Sequence, residues 1–433
     1  MSKSLLARSV ALAALGTSLA LPAVSQAAFL EDSKASLEMR NFYMNRDFRE
    51  DGGKIGSGQS KADEWAQGFI LRVESGFTEG TVGFGLDAIG NLGLRLDSGN
   101  ERTGTGILQT DKSGGGEDNY GDFGATAKMR VSKSTLKVGT LMPKLPAVQY
   151  NDSRLLPQTF QGGWLNSAEI DGLTVDLGQL NRVNQRDSSD NEVMTLNGAI
   201  APGKNPNGRG IVTKGGAVNE SDEFNFAGLS YKWNDQLTTT YNYGELEDLY
   251  KQHILNVVHV LPIADGQSLK TDLRYARSTD DGDSNVDNKA FGAMLTYNLG
   301  GHAFGLGYQK MSGDTGYAYI GGTDPFLVNF VQIGDFAFKD EKSYQLRYDY
   351  NFAALGIPGL TFMTRYLNGD NVDLGVGQRE GKEWERDTDI AYVFQEGPLK
   401  NFGVKWRNAT VRSNFGDDLD ENRLILSYML PLW

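Results

Sequence analysis

Basic side chains recur on one face of several stretches of alternating hydrophobicity in this 433-residue chain. Apolar residues take the alternate positions, so the basic groups share the polar face of a predicted β-strand. A row of such groups can bind and guide carboxylates, and a guanidinium pairs with a carboxylate through two parallel hydrogen bonds. The residues placed in this way are Arg40, Lys128, Arg130, Arg365, Lys405, Arg407 and Arg423.

The composition leaves few residues for enzymatic chemistry. With no Cys, the chain has no thiolate nucleophile, disulfide, iron–sulfur cluster or Cys-based zinc site. The histidines, His253, His259 and His302, are scattered and supply no nucleophile with an oriented base. We therefore expect no enzyme activity, no cofactor and no metal site. The formal net charge of −13 also argues against a nucleic acid partner.

The alternating stretches extend along almost the whole chain and predict about eighteen strands. Tight connections such as Ile170–Gly172 and Leu299–Gly301 alternate with long polar ones such as 98–122 and 184–223. A tight connection at Glu245–Asp248 is the exception. A soluble sandwich has no reason to place its long loops at one end, whereas an outer-membrane barrel has short periplasmic turns and long external loops. The predicted strands begin near residues 34, 61, 80, 123, 134, 159, 172, 224, 236, 248, 267, 285, 301, 342, 359, 383, 400 and 422.

The charged faces of these strands indicate a water-filled lumen. Nearly every strand carries charged residues on one face, too many to fill a dry interior. We therefore predict an all-β fold, a transmembrane antiparallel up-and-down β-barrel of about 18 strands, which encloses an aqueous channel. Barrel closure places Lys405, Arg407, Arg423 and Arg40 on one wall, the predicted basic ladder. Lumen acids such as Glu38, Asp387 and Asp389 are expected to pair with part of it.

The N-terminus has the pattern of a secretory leader. Lys3 and Arg8 precede the apolar stretch Val10–Ala20, and Ser25-Gln26-Ala27 supplies small residues for cleavage. We predict a signal peptide at residues 1–27 and a single barrel domain at 28–433, exported to the outer membrane of a Gram-negative bacterium.

Two long connections have a composition that favours an inward position. The 143–158 stretch is apolar and rich in Pro, and the 313–341 stretch carries several Tyr and Phe residues. A loop pointing into external water has no need of such residues, so both are predicted to fold into the barrel and narrow it.

Several blocks of the sequence resemble the OprD family, the outer-membrane carboxylate channels of pseudomonads. The matching blocks include Gln67-Gly68-Phe69, Ser153-Arg154-Leu155, Pro157-Gln158-Thr159, Pro358-Gly359-Leu360-Thr361-Phe362-Met363 and Asn422-Arg423-Leu424-Ile425. The resemblance covers essentially the whole chain after the leader.

The resemblance implies an eighteen-stranded barrel with a basic ladder that descends to a narrow constriction. Ladder positions match at Arg40, Arg365, Lys405, Arg407 and Arg423, and Arg154 matches the motif of the inward third loop. Tyr319 and Asp335 match positions that contribute to a pocket opposite the ladder. One acidic position of that pocket falls on Thr323, with Asp324 displaced by one residue.

These observations predict a substrate-selective porin for passive diffusion of small carboxylates, with an aromatic acid such as benzoate preferred. The alternatives are a channel for basic amino acids or peptides, an outer-membrane hydrolase, and a filled barrel that does not conduct. The expected partners are small carboxylate solutes, outer-membrane lipid and lipopolysaccharide, and the barrel assembly machinery. A monomer or a weak trimer is expected.

Overall fold

The computed structural model describes residues 29–50, 53–55, 57–200, 208–214 and 219–433, so the predicted signal peptide at 1–27 lies outside the described residues. The described fold has eighteen long strands. In order from β1 to β18 they are Lys34–Phe48, Lys61–Glu74, Val82–Asp97, Asn119–Val131, Ser134–Leu141, Thr159–Ser167, Leu173–Asn184, Phe224–Lys232, Leu237–Leu246, Tyr250–Ala264, Gln267–Asp280, Asp287–Leu299, His302–Gly313, Lys342–Asn351, Leu360–Val372, Gly381–Val393, Phe402–Ser413 and Leu419–Pro431. Among the described residues, no helix is long and apolar enough to cross a membrane.

The strands form one closed antiparallel sheet. Each pairs with the next in sequence, and β1 pairs with β18 from Ser36 opposite Pro431 to Phe48 opposite Leu419. Closure leaves no unpaired edge among the eighteen described strands, as the hydrocarbon core of a membrane requires. The predicted all-β barrel of eighteen strands is confirmed. The largest difference in a strand start is at β4, which begins at Asn119 rather than 123.

The barrel is polar inside and apolar outside. On β14, Ser343 and Gln345 are buried in the interior, whereas Tyr344 and Leu346 between them are 51% and 61% exposed on the outer surface. This arrangement is the reverse of a soluble barrel and matches strands that face lipid on one side and a lumen on the other.

Short and long connections lie at opposite ends of the barrel, as predicted. Two residues, Asp265 and Gly266, join β10 to β11, and Gly266 has φ +68°, a conformation that glycine adopts without strain. The connection from β9 to β10, at 247–249, is the shortest one at the loop end of the described barrel, and those at 281–286 and 414–418 are also short. The four longest connections at that end are 98–118, 142–158, 185–223 and 314–341.

The 143–158 loop lies inside the barrel, as predicted. Leu155 is fully buried against Phe42, Met44 and Ile70, which point inward from β1 and β2. At Gly68 of β2, a Cβ atom would lie 3.1 Å from the Leu155 side chain, so glycine permits this close approach. The loop therefore packs on the wall.

The 313–341 connection also enters the barrel, and its described loop spans 314–341. Arg274 of β11 lies over the ring of Phe326, 3.9 Å from its centroid. Val328 packs where Gly292 of β12 has no side chain, at 3.0 Å from the position of a Cβ. Both predicted inward loops are thus confirmed.

Two further loops enter the barrel that the sequence did not single out. Ile107 and Leu108 of the 98–118 loop join the cluster around Leu155. Leu196 and Ile211, from the described part of the 185–223 loop, pack in a second cluster with Phe224. Four loops rather than two therefore enter the described barrel.

Candidate functional site: the constriction

The inward loops and the wall of β17 and β18 enclose a cavity of about 440 Å³. Both basic and acidic side chains line it. The lining residues are Asn151, Ser153, Arg154, Arg186, Asn197, Tyr319, Gly322, Thr323, Asp324, Phe330, Val331, Gln332, Ile333, Arg407 and Arg423.

The predicted basic residues of the last strands lie together on the lumen wall. Arg407 of β17 is directly opposite Arg423 of β18 in the strand register, and Lys405 is two residues further along β17. Arg407 and Lys405 both pair with Asp389 of β16, at 3.0 and 3.3 Å. Asp389, one of the acids expected to pair with this wall, thus neutralises part of its charge.

Arg423 is the most enclosed member of the ladder, and Arg365 has a fully buried partner. Arg423 is 1% exposed, and its Nε lies 2.5 Å from Glu421 Oε1. Arg365 of β15 pairs with the fully buried Asp387 at 2.7 Å. Both side chains thus carry an internal counter-charge, and of the two only Arg423 lines the cavity.

Arg40 holds the 143–158 loop to the wall. Its guanidinium pairs with Glu38 at 2.7 Å and with Asp152 of the loop at 2.8 Å. It also donates to the carbonyl oxygen of Arg154, at 2.7 Å. Arg40 therefore lies outside the lining of the 440 Å³ cavity and supports the loop that borders it.

Lys128 and Arg130 lie on β4, away from the constriction. Lys128 is buried, with its Nζ 2.5 Å from Asp87 and 2.7 Å from the carbonyl oxygen of Ser75. Arg130 is exposed near the turn to β5, and its guanidinium stacks over Phe77, 4.2 Å from the ring centroid. The structure does not bring these two residues to the wall of Arg407.

Arg154 lines the constriction and shares its partner with another arginine. Arg154 and Arg186 each donate through Nη1 to Ser153 Oγ, both at 3.0 Å. Arg154 and Arg423 donate to the Ser153 carbonyl oxygen, at 3.1 and 3.3 Å. Three guanidiniums therefore converge on one neutral residue.

The predicted pocket of Tyr319 and Asp335 is assembled but already occupied. Tyr319 donates its hydroxyl to Asp335 Oδ2 at 2.7 Å. Arg209, from the 185–223 loop, forms a buried ion pair with the same carboxylate, and its guanidinium lies over Tyr319 and Phe338. Burial, with the charge of Asp335, raises the pKa of Tyr319 well above its usual range, so Tyr319 is a neutral donor. A side chain of the protein itself fills the acidic pocket.

Asp324 is the one carboxylate among the described lining residues of the cavity. It accepts a hydrogen bond from Asn151, at 2.5 Å. Burial raises the pKa of Asp324 to about 6, against the opposing effects of Arg186 and Lys144. Its carboxyl group is therefore charged at neutral pH and takes up a proton in mild acid.

A set of wall carboxylates holds the tip of the 314–341 loop in the lumen. Glu385 accepts from the backbone N–H of Ile333 at 2.9 Å and of Gly334 at 2.7 Å. The side chain of Gln332 donates to Glu421 at 2.9 Å. The loop tip is consequently fixed against β16 and β18.

The residues that sequence reasoning missed, Arg186 and Arg209, share one property. Both lie in the 185–223 loop, which has no strand periodicity and reads as a solvated polar connection. Its only inward signal is a few apolar residues such as Leu196 and Ile211, which are buried.

Comparison with known proteins agrees with this architecture. Residues 27–432 match the family model described as outer membrane porin, OprD family. Porin D of Pseudomonas aeruginosa is 38% identical over 435 residues, covering 93% of this chain and 92% of the relative. The crystal structure of Pseudomonas aeruginosa OpdQ is 66% identical, with a TM-score of 0.84 over 94% of this chain and 100% of that one. Pseudomonas aeruginosa OpdK with vanillate is 38% identical, with a TM-score of 0.83 over 94% and 100%.

Proposed function

The chain belongs to the OprD family of outer membrane porins, and on that premise we propose that it is a channel selective for small carboxylates. An aromatic acid such as benzoate is the preferred solute. The chain is a substrate-specific porin of the Gram-negative outer membrane, a passive channel and not an enzyme. The concentration gradient of the solute drives its passage.

The observation that carries the carboxylate assignment is the ion pair between Arg209 and Asp335. A channel for basic amino acids needs an acidic pocket that accepts the cationic group of the solute. Here Arg209 supplies that cationic group internally, so Asp335 has no charge left to offer. The opposite side of the constriction presents Arg154, Arg186, Arg407 and Arg423, which suit a carboxylate.

In this proposal the basic wall guides the carboxylate through the barrel. Lys405 and Arg407 are held by a single carboxylate, Asp389, which leaves an excess of positive charge on that part of the wall. Lys405, Arg407 and Arg423 are each partly neutralised by an internal acid, so they bind a carboxylate weakly enough for it to leave, as conduction requires. Arg40, Arg365, Lys128 and Arg130 contribute to the field along the path.

The crystallised relative OpdK carries vanillate, an aromatic carboxylate. That ligand supports the choice of an aromatic acid for this chain. A cavity of about 440 Å³ has room for such a ring, because a cavity of about 150 Å³ holds benzene in another protein.

We also propose the surroundings of the channel. The apolar outer face, with Leu346 and its neighbours exposed, contacts outer-membrane lipid and lipopolysaccharide. The barrel assembly machinery inserts the barrel into the membrane. The inserted protein is a monomer or a weak trimer.

Uptake of benzoate and of L-arginine into proteoliposomes tests the carboxylate assignment. Benzoate should enter wild-type vesicles several-fold faster than L-arginine. In Arg209→Gln, Asp335 loses its partner and arginine uptake should rise. Arg182→Gln is the matched control, because Arg182 pairs with the exposed Asp222 at 3.4 Å. Wild-type uptake of arginine as fast as that of benzoate would contradict the proposal.

A further inference from the structure

Arg154 and Arg186 differ from the other arginines of the constriction in their partners. Among the described residues, neither has a carboxylate oxygen within 4.0 Å, whereas Arg407 and Arg423 each have one. Their guanidiniums are held by neutral oxygens instead. Arg154 donates to the carbonyl oxygen of Thr105 at 2.9 Å, and Arg186 donates to Asn151 Oδ1 at 2.9 Å.

Neutral acceptors position a guanidinium without cancelling its charge. A guanidinium has five N–H donors. In the described part of the chain, no residue accepts from Nη2 of Arg154 or from Nε and Nη2 of Arg186. Both side chains line the 440 Å³ cavity, so these donors are available to a solute in it.

The two guanidiniums are also close enough to act on one solute. Each Nη1 lies 3.0 Å from Ser153 Oγ, so the two nitrogens are at most twice that distance apart. Like charges held so close in a partly enclosed site repel each other, and an anion between or beside them relieves the repulsion. A short solute with two carboxylates can give one to each guanidinium.

The surrounding charges leave this pair with a positive excess. Asp187 and Asp324 act on the charge of Arg186, and in the described part of the chain neither forms an ion pair with it. Arg423 and Arg46 share the single carboxylate of Glu421, which adds further positive charge. One carboxylate therefore does not neutralise the site.

We propose that Arg154 and Arg186, joined through Ser153, form a two-guanidinium site that binds solutes with two carboxylates more tightly than solutes with one. This inference rests on the proposed carboxylate channel and specifies its solute: an aromatic dicarboxylate such as phthalate is held more tightly than benzoate. Arg186 is then a specificity-determining residue of the channel.

Block of single-channel current by phthalate and by benzoate at pH 7.5 measures the two dissociation constants in planar bilayers. In the wild type, the dissociation constant of phthalate should be lower than that of benzoate by on the order of tenfold, the effect of one added charged hydrogen-bonded contact. In Arg186→Gln the ratio should fall close to one, because Arg154 still binds a single carboxylate. In Arg186→Lys the ratio should be intermediate, since lysine keeps the positive charge but lacks the two parallel N–H donors of a guanidinium.

Arg49→Gln is the matched control for charge. Arg49 lies at the external rim, where it pairs with Asp47 and Asp420, so its loss should leave the ratio unchanged. A wild-type ratio near one, or a ratio that Arg186→Gln does not alter, overturns the two-guanidinium site and leaves the carboxylate channel standing. If neither acid blocks or crosses the channel while neutral solutes do cross, the proposed function itself fails.

Discussion

Removal of the Glu385 carboxyl group should release the tip of the 314–341 loop and widen the channel. Glu385 is fully buried, and its two oxygens accept from the backbone N–H groups of Ile333 and Gly334. Loss of the acceptor leaves a buried N–H unsatisfied, at a cost of about 1–3 kcal/mol for each N–H. The pair therefore stabilises the docked loop by about 2–6 kcal/mol.

If the docked loop loses about 4 kcal/mol of stability, the ratio of docked to released loop falls by several hundred-fold, because about 1.4 kcal/mol corresponds to a factor of ten. The contacts of Gln332 with Asp387 and Glu421 persist, so Glu385→Ala should produce a mixture of two conductance levels. Glu385→Gln keeps an acceptor oxygen and should show the wider level less often.

Single-channel recording in planar bilayers measures the effect. The wider level should appear in Glu385→Ala and be absent from Glu396→Ala, which removes the same group from an exposed position in the turn between β16 and β17. Heat-modifiable migration in gels checks that each barrel is folded. A folded Glu385→Ala channel with the wild-type conductance would show that the hydrogen bonds of Glu385 do not hold the loop tip in the lumen.

Three further predictions concern the path of the solute. Arg407→Ala should lower carboxylate uptake several-fold, since a charged hydrogen bond contributes about 1–3 kcal/mol, and in Arg407→Lys part of the uptake should be kept. Liposome swelling with paired charged and neutral solutes measures the uptake, and equal losses for both kinds of solute would contradict the prediction. Deletion of residues 145–156 should raise conductance and remove solute preference while the barrel still inserts, and an unchanged bilayer current would place the loop's role elsewhere. Because the pKa of Asp324 is raised to about 6, its carboxyl is charged at pH 7.5 and neutral at pH 5. Anion selectivity should therefore rise on acidification in the wild type and stay constant in Asp324→Asn, as reversal potentials will report.

The barrel could be predicted from the sequence because its signals are local. A strand of a membrane barrel alternates between lipid and lumen at every residue, so the placement of Arg407 and Arg423 on the lumen side follows from parity alone. The alternation of short turns and long loops also indicates which end of each strand faces the periplasm. Neither depends on knowing what any side chain touches.

The constriction was only partly predictable because its contacts are not local. Arg186 reaches Ser153 from a loop more than thirty residues away, and Arg209 reaches Asp335 across 126 positions. Nothing in the 185–223 loop has a period that links these residues to the lumen. The composition of the 143–158 loop revealed its inward position, but not that Ser153 would gather three guanidiniums.

The resemblance to a family also had a limit at this site. It assigns Tyr319 and Asp335 to one pocket, and the Tyr319 hydroxyl lies 2.7 Å from Asp335 Oδ2. It did not indicate that Arg209 would fill the pocket, because Arg209 lies outside the matching blocks. The pocket therefore lacks the free negative charge that Asp335 by itself suggests.

Solute-driven swelling of proteoliposomes at pH 7.5 tests selectivity for carboxylates most directly. Benzoate, benzamide and benzylamine have nearly the same size and differ in charge, and protein-free vesicles correct for leakage through lipid. We predict that benzoate enters several-fold faster than benzamide and that benzylamine is the slowest. Equal rates for the three solutes, or faster entry of benzylamine than of benzoate, would contradict a channel selective for carboxylates.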